Sequence, residues 1–133
     1  MNDELISDVR HDNSKLIKRA RDLRVYRQAY NLSLAIHKLS LGFPKIEQYG
    51  LADQLRRASK SICANIAEGF VRQRYSSPEF ARFLLFAEAS AEEACVWLEY
   101  ARDLEYISNE KFEEWDKEYL HISSMLSKLR KNL

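Results

Sequence analysis

A single Glu-x-x-His motif is the clearest candidate metal ligand in the sequence. It comprises Glu118 and His121, and four-helix bundles use this spacing for two-metal carboxylate centres. Such a centre needs two copies of the motif and two further inward carboxylates, whereas the sequence has one copy. At about 100° per helical residue, His121 also lies roughly 130° from the apolar row of its helix. We therefore predict neither a metal site nor a bound cofactor.

His37 is the second candidate, because a solvent-facing histidine on a helical bundle can carry a phosphoryl group. However, His37 falls on a row of apolar residues, which favours a packed histidine at a subunit contact. The sequence contains no G-x-x-x-x-G-K-[ST] loop, no G-x-S-x-G turn and no Cys-His pair with a supporting residue. We therefore predict that the protein is not an enzyme.

The remaining chemistry belongs to basic residues in the first half of the chain. Binding to a phosphate backbone requires cations and no particular motif, so these residues are candidate nucleic-acid contacts. Helix propensity explains a surface arginine equally well, which leaves a protein-interaction scaffold without nucleic-acid binding as the alternative. The candidates are Arg21, Arg24, Arg27, Arg56, Arg57, Lys60, Arg72 and Arg74.

Charge is segregated along the chain, although the net charge of the 133 residues is +1. Residues 1–74 contain 14 Lys and Arg against 8 Asp and Glu, a net charge of +6. Residues 75–133 contain 7 against 12, a net charge of −5. This polarity has three interpretations: a solvated surface without a partner, an anionic partner for the first half, or head-to-tail pairing of subunits through opposite charges.

Helices must position these residues, because the chain is 46% hydrophobic and contains only 3 Gly and 2 Pro. Apolar rows at helical spacing predict helices over residues 22–42, 49–70, 78–104 and 109–130. Short turns between them predict an all-α fold, an antiparallel up-and-down four-helix bundle over residues 21–133. Residues 1–20 lack a sustained apolar row, and we expect a polar, flexible arm there.

Local residue chemistry adds smaller predictions. Ser77 and Ser108 are expected to cap the third and fourth helices, and Gly69 to end the second. Asn65, beside the apolar row of the second helix, should be partly buried and bonded internally, and Glu68 should be a polar group at the helix end.

The cysteines and the overall hydropathy indicate a compartment. Cys63 and Cys95 have neither C-x-x-C nor metal spacing, so we expect buried free thiols. The sequence shows no signal-peptide pattern and no apolar run of about 18 residues. We expect a cytoplasmic protein without a membrane partner.

The first predicted helix carries two apolar rows. Val25, Ala29, Leu32, Ile36, Leu39 and Phe43 form one, and Leu23, Tyr26, Tyr30, Leu34, His37 and Leu41 form the other, about 140° around the axis. A small monomeric bundle buries only one row, and each large apolar side chain left in water forgoes about 1.5–3 kcal/mol. We therefore predict a homo-oligomer, with a contact formed by Tyr26, Tyr30, Leu34, His37 and Leu41.

Three segments carry a resemblance to a known family: RDLRVYRQAYNLSLAIHKL, FPKIEQYGLADQLRRASKSICANIAEGF and SSPEFARFLLFAEASAEE. They resemble the bacterial 23S rRNA intervening-sequence proteins, which look related to the accessory variability proteins of diversity-generating retroelements. The similarity spans residues 21–133, and YGL-x-x-QLRRA followed by N-I-A-E-G is its most specific part. It implies a four-helix bundle assembled as a pentameric ring or barrel, with basic surfaces that bind RNA, DNA, a reverse transcriptase or another nucleoprotein.

The residues that match the family pattern are Arg56, Arg57, Asn65, Glu68 and Gly69. The resemblance implies structural importance for all five and a nucleic-acid role for the two arginines. Two positions depart from the pattern. Cys63 stands where the family usually has proline, so the sequence does not decide whether the second helix is kinked there. Ala89, Ser90 and Ala91 replace the usual Gly-Ser-Leu of the third helix.

Overall fold

A computed structural model describes residues 17–133, which form four α-helices and no β-strand. The helices are α1 (Arg24–Ser40), α2 (Leu51–Arg72), α3 (Ser77–Asp103) and α4 (Asn109–Lys131). Short 3-10 turns, Ala20–Asp22 and Lys45–Glu47, precede α1 and α2. The all-α prediction is therefore confirmed, and every helix end lies within two residues of its expected position.

Serine hydroxyls cap the last two helices. Ser108 Oγ accepts a hydrogen bond from the Lys111 N–H at 3.0 Å, as expected. The cap of α3 is Ser76, whose Oγ accepts from the Glu79 N–H at 3.2 Å, so the assignment to Ser77 was one residue late. Pro78 then lies in the first turn, where the missing N–H has no cost.

The core lies between all four helices. Helix α2 packs most extensively against α3, followed by α3 against α4, α1 against α2 and α1 against α4. Fully buried alanines on α3, Ala87, Ala91 and Ala94, allow its neighbours to approach closely. Between α1 and α2, Cys63 Sγ lies 3.6 Å from the Tyr26 carbonyl oxygen, which places the start of α1 beside the later part of α2.

Gly69 does not end α2, which continues to Arg72, so this prediction was wrong. The residue is buried against α3, and a Cβ atom added there would lie 2.7 Å from Phe83 Cβ and 3.0 Å from the Phe80 ring. Glycine is therefore required by the close approach of α3. Its backbone has no positive φ.

Two residues of the apolar rows predicted for α1 differ from the prediction in their burial. Leu23 was assigned to the outer row but is buried in the core, whereas Leu39 of the inner row is exposed. At the described end of the expected arm, Ala20 is buried and Ile17 packs against the core. The rest of the expected arm, residues 1–16, lies outside the described residues.

Asn65 is half-buried and internally bonded, as expected. Its Nδ2 donates to the Ser61 carbonyl oxygen at 2.9 Å and to Ser61 Oγ at 3.1 Å. Ser61 Oγ in turn lies 2.9 Å from Ser90 Oγ on α3, so Ser90 links the two helices. Helix α2 runs through Cys63 without interruption, and Glu68 is exposed.

Candidate nucleic-acid interface

A groove of about 640 Å³ opens on the surface beside the first half of α1 and the end of α2. We call it the basic groove. Its apolar lining consists of Tyr26 and Tyr30 from α1 and of Ala67, Phe70 and Val71 from α2. Because Ala67 is small, the space beside the two tyrosine rings remains open.

The two tyrosines form an ordered aromatic pair. Their ring centroids lie 6.0 Å apart and the planes differ by 11°, which is a parallel stacked arrangement. Tyr26 is half-buried, while Tyr30 keeps 46% of its surface exposed. The groove therefore presents one held but accessible aromatic ring.

Among residues 17–133, five cations and no carboxylate line the groove: Lys18, Arg19, Arg21, Arg27 and Arg74. The sequence analysis named Arg21, Arg27 and Arg74 as candidate contacts, and the structure brings these three together. It missed Lys18, which fell in the expected arm together with Arg19. The proximity of Lys18 to Arg21 in the sequence was the available signal.

The cations act on a common region of the groove. Arg27 Nη1 donates to the Asp22 carbonyl oxygen at 2.6 Å, which fixes this guanidinium at the groove edge. Burial, with smaller contributions from Cys63 and Tyr30, raises the pKa of Tyr26, and Arg21 and Arg19 oppose that shift. Arg21 and Arg19 therefore lie close enough to Tyr26 to act on its hydroxyl group.

Arg56 has a different environment from the one expected of a nucleic-acid contact. Its Nη1 donates to Ser40 Oγ at 2.8 Å and to Gln48 Oε1 at 3.2 Å, and its Nη2 donates to the Gln48 carbonyl oxygen at 2.8 Å. Gln48 Nε2 donates in turn to the Ser40 and Phe43 carbonyl oxygens, both at 3.0 Å. Arg56 therefore joins the end of α1, the following turn and the start of α2.

Arg57 and Lys60 are exposed on α2, away from the basic groove. Arg57 Nε pairs with Asp53 at 2.8 Å. Lys60 Nζ donates to His37 Nδ1 at 2.9 Å, which requires a neutral imidazole. Burial, followed by Lys60 and Arg56, lowers the pKa of His37, so this histidine stays neutral at neutral pH.

The last two candidate cations do not line the groove. Arg72 lies over the Phe83 ring, with its Cζ 4.6 Å from the ring centroid, a cation–π contact between α2 and α3. Arg24 is half-buried at the start of α1. Of the eight candidates, three therefore line the groove, Arg57 and Lys60 lie elsewhere on the surface of α2, and the other three have different surroundings: Arg24, Arg56 and Arg72.

The five residues of the expected subunit contact on α1 have different surroundings. Tyr26 and Tyr30 line the groove, His37 is half-buried beside Lys60, and Leu34 and Leu41 are exposed. Among residues 17–133, three of the five expected contact residues are therefore accessible in the single chain, namely Tyr30, Leu34 and Leu41.

The sequence analysis missed a second exposed apolar surface, on α3. Leu85, Phe86, Val96 and Tyr100 are all exposed and fall within an arc of about 100° by helical spacing. A group of large apolar side chains left exposed often marks a contact with another molecule. That signal was readable in the sequence of α3, but the acidic residues between the apolar ones, including Glu92 and Glu93, obscured it.

The Glu-x-x-His motif lies on the outer surface of α4. Glu118 and His121 are both exposed, while Trp115, Tyr119 and Ile122 form the buried row of the same helix. Within the described residues, no group of three His, Cys, Asp or Glu side chains is placed to hold a metal ion. No helix of residues 17–133 has the length and hydrophobicity to cross a bilayer.

Comparison with known proteins places the chain in a family. The family model for 23S rRNA-intervening sequence proteins matches residues 21–128. The chain belongs to this family. The same residues contain α1, α2, α3 and most of α4, so the match covers the bundle and part of the basic groove.

A solved structure resembles this member of the 23S rRNA-intervening sequence proteins. It is a protein of unknown function from the S23 ribosomal protein family of Bacteroides thetaiotaomicron VPI-5482. The two chains share 27% sequence identity with a TM-score of 0.72, over 80% of this chain and 95% of the other. None of the curated proteins matches significantly.

Proposed function

We propose that this family member is a non-enzymatic homo-oligomer that binds nucleic acid, and RNA in particular, through the basic groove. The observation that supports this function is the lining of the groove, to which the described part of the chain contributes five cations and no carboxylate. Backbone phosphates neutralise such a cluster and release counterions. Arg57 and Lys60 are also exposed on α2, but they lie away from the groove and form a separate basic region.

The family name favours RNA among the possible nucleic acids, since it refers to an rRNA intervening sequence. The resemblance to retroelement accessory proteins adds a second class of partner, a reverse transcriptase or another nucleoprotein. Such a partner presents nucleic acid together with protein, so the groove and the exposed apolar surfaces would both take part.

For the assembly, we infer an antiparallel up-and-down bundle that forms a ring-like homo-oligomer, a pentamer by family resemblance. The helix connections are short, and Cys63 beside Tyr26 and Arg56 beside Ser40 give opposite chain directions for α1 and α2. Two different apolar surfaces, one on α1 and one on α3, support a head-to-tail contact that closes into a ring.

Charge supports the same pairing of surfaces. The exposed surface of α1 carries Leu34 and Leu41 beside Lys38, whereas the exposed surface of α3 carries Val96 beside Glu92. Opposite charge around an apolar centre promotes association and fixes its register.

A protein-interaction scaffold without nucleic-acid binding is the second candidate. The apolar surface of α3 favours it, because such a surface suits a protein partner. The internal hydrogen bonds of Arg56 also favour it, since they remove one of the expected phosphate contacts.

Titration with a structured RNA at two salt concentrations separates the two functions. If four phosphates are neutralised, affinity should fall roughly 100-fold between about 50 and 200 mM salt. The scaffold predicts no binding at either concentration.

Light scattering on the same samples tests the assembly: wild-type protein should be oligomeric, and Leu34→Glu with Leu41→Glu should be monomeric. A monomeric wild type would overturn the assembly.

A further inference from the structure

The basic groove combines an accessible aromatic ring with several cations, and this combination is more specific than a basic surface. We propose that the groove binds a single-stranded segment of RNA, with one base stacked on Tyr30 and the flanking phosphates held by Arg21, Arg27 and Arg74. This inference rests on the proposed function and names the form of nucleic acid that the site takes.

The aromatic ring is the first part of the argument. Tyr30 is 46% exposed and its ring is held parallel to that of Tyr26 at 6.0 Å. A ring that is already ordered loses little freedom when a base stacks on it. Aromatic side chains in a positively charged groove are the recurrent platform for single strands, because every base has a π-face.

The position of the cations is the second part. Arg21 and Arg27 come from the start of the chain's helical part and Arg74 from the end of α2, and all three line the groove that Tyr30 lines. Arg27 is fixed by the Asp22 carbonyl oxygen at 2.6 Å. A strand whose base lies on Tyr30 therefore has cations in the same groove for its neighbouring phosphates.

The shape of the groove is the third part. In a duplex the bases are stacked on one another and the phosphates lie outside, so a duplex reaches the cations but leaves Tyr30 uncovered. A volume of about 640 Å³ is within the range of sites that enclose a compact ligand, such as an unstacked base. Asn31 also lines the groove, and its amide can both donate to and accept from a base edge.

The test compares an unstructured RNA of about ten nucleotides with the duplex of the same sequence, using the full chain. Affinities are measured for wild type, Tyr30→Ala, Tyr30→Phe and the control Tyr49→Ala, since Tyr49 is 96% exposed and precedes α2 at the other end of α1. Tyr30→Ala should weaken single-strand binding roughly 5-fold to 100-fold. It should change duplex binding by less than about twofold, because phosphate contacts alone serve the duplex. Tyr30→Phe, which keeps the ring, and Tyr49→Ala should bind as wild type.

Each other outcome overturns the proposal in a distinguishable way. Equal binding of single strand and duplex, or unchanged single-strand affinity in Tyr30→Ala, excludes stacking on Tyr30 and leaves the proposed function standing. If neither RNA binds, the stacking on Tyr30 and the proposed function are both excluded. Light scattering completes the set: loss of single-strand binding together with loss of the oligomer would make Tyr30 a subunit-contact residue and would also overturn the proposal.

Discussion

Arg56 donates a hydrogen bond from Nη1 to Ser40 Oγ across 2.8 Å, which ties the first helical turns of α2 to the last residue of α1. Ser40 is fully buried, and its hydroxyl donates to the His37 carbonyl oxygen. The arginine that the sequence offered as a phosphate contact is thus part of the scaffold. Charge reversal at Arg56 would disturb the folded structure, so it would not test RNA binding alone.

Replacing Arg56 should destabilise the protein much more than replacing its neighbour. Arg56→Ala removes three hydrogen bonds from a charged donor, so we expect the free energy of unfolding to fall by roughly 1.5–3 kcal/mol. Arg57→Ala removes only an exposed ion pair with Asp53, a loss of about 0.5 kcal/mol or less. Urea denaturation of both variants measures the difference, and equal losses would contradict the structural role.

Gly69→Ala should destabilise, although alanine normally strengthens a helix by about 1 kcal/mol. The added methyl group would lie 2.7 Å from Phe83 Cβ and 3.3 Å from the Phe80 carbonyl oxygen, so α3 must shift. Overpacking of this kind costs about 1–3 kcal/mol. Gly42→Ala is the control, because its Cβ would make only an ordinary 3.4 Å contact. Thermal denaturation should lower the Tm of Gly69→Ala alone; an unchanged Tm would show that α2 and α3 are farther apart.

Tyr119→Phe should leave stability unchanged or raise it. Tyr119 is 1% exposed, and its hydroxyl has no hydrogen-bond partner among residues 17–133. An unpaired buried hydroxyl costs about 1–3 kcal/mol, so its removal recovers part of that free energy. Urea denaturation measures the change, with Tyr119→Leu as the variant that loses the ring. A fall of more than about 1 kcal/mol in Tyr119→Phe would reveal a partner for the hydroxyl.

Stability should fall as the pH rises from about 9 towards 12. Burial raises the pKa of Cys63 to about 12, and burial together with Asp116 raises that of Cys95 to about 12. The folded thiols keep protons that the unfolded chain releases above its ordinary thiol pKa, so each contributes a loss of roughly 1.4 kcal/mol per pH unit in this window. Stability below about pH 8 should be unaffected by these groups.

Other groups titrate in the same range, so the control is Cys63→Ala with Cys95→Ala. Denaturation midpoints at about pH 7.5 and 10 should differ less in this variant than in wild type. The same loss in both proteins would show that the thiols do not carry the effect.

Much of the fold followed from periodicity, because apolar rows and turn residues depend on local sequence. Ser108 was identified as a cap from its own neighbours, and the structure confirms it. Gly69 was misread for the same reason: glycine near an expected helix end resembles a stop signal, and only the packing of Phe83 from another helix reveals its function.

The candidate site was less predictable, since helical spacing does not say what lies opposite a side chain. Arg56 and Arg57 are adjacent in the sequence, yet one turns to Ser40 and the other to solvent. Arg21 and Arg74 are far apart in the sequence but line one groove. The exposed apolar residues of α3 were present in its sequence, but the acidic residues between them, including Glu92 and Glu93, concealed the pattern.

RNA binding by two matched charge-reversal variants tests the central claim, that the basic groove binds nucleic acid. Arg21→Glu with Arg74→Glu changes the groove, while Lys45→Glu with Lys117→Glu makes the same charge change on exposed positions before α2 and on α4. At low salt the groove variant should bind RNA at least about tenfold more weakly than wild type, with a salt slope lower by about two. The control should stay within about twofold, because its charges lie outside the groove. Equal affinities for the two variants, or unchanged binding by the groove variant, would contradict the account.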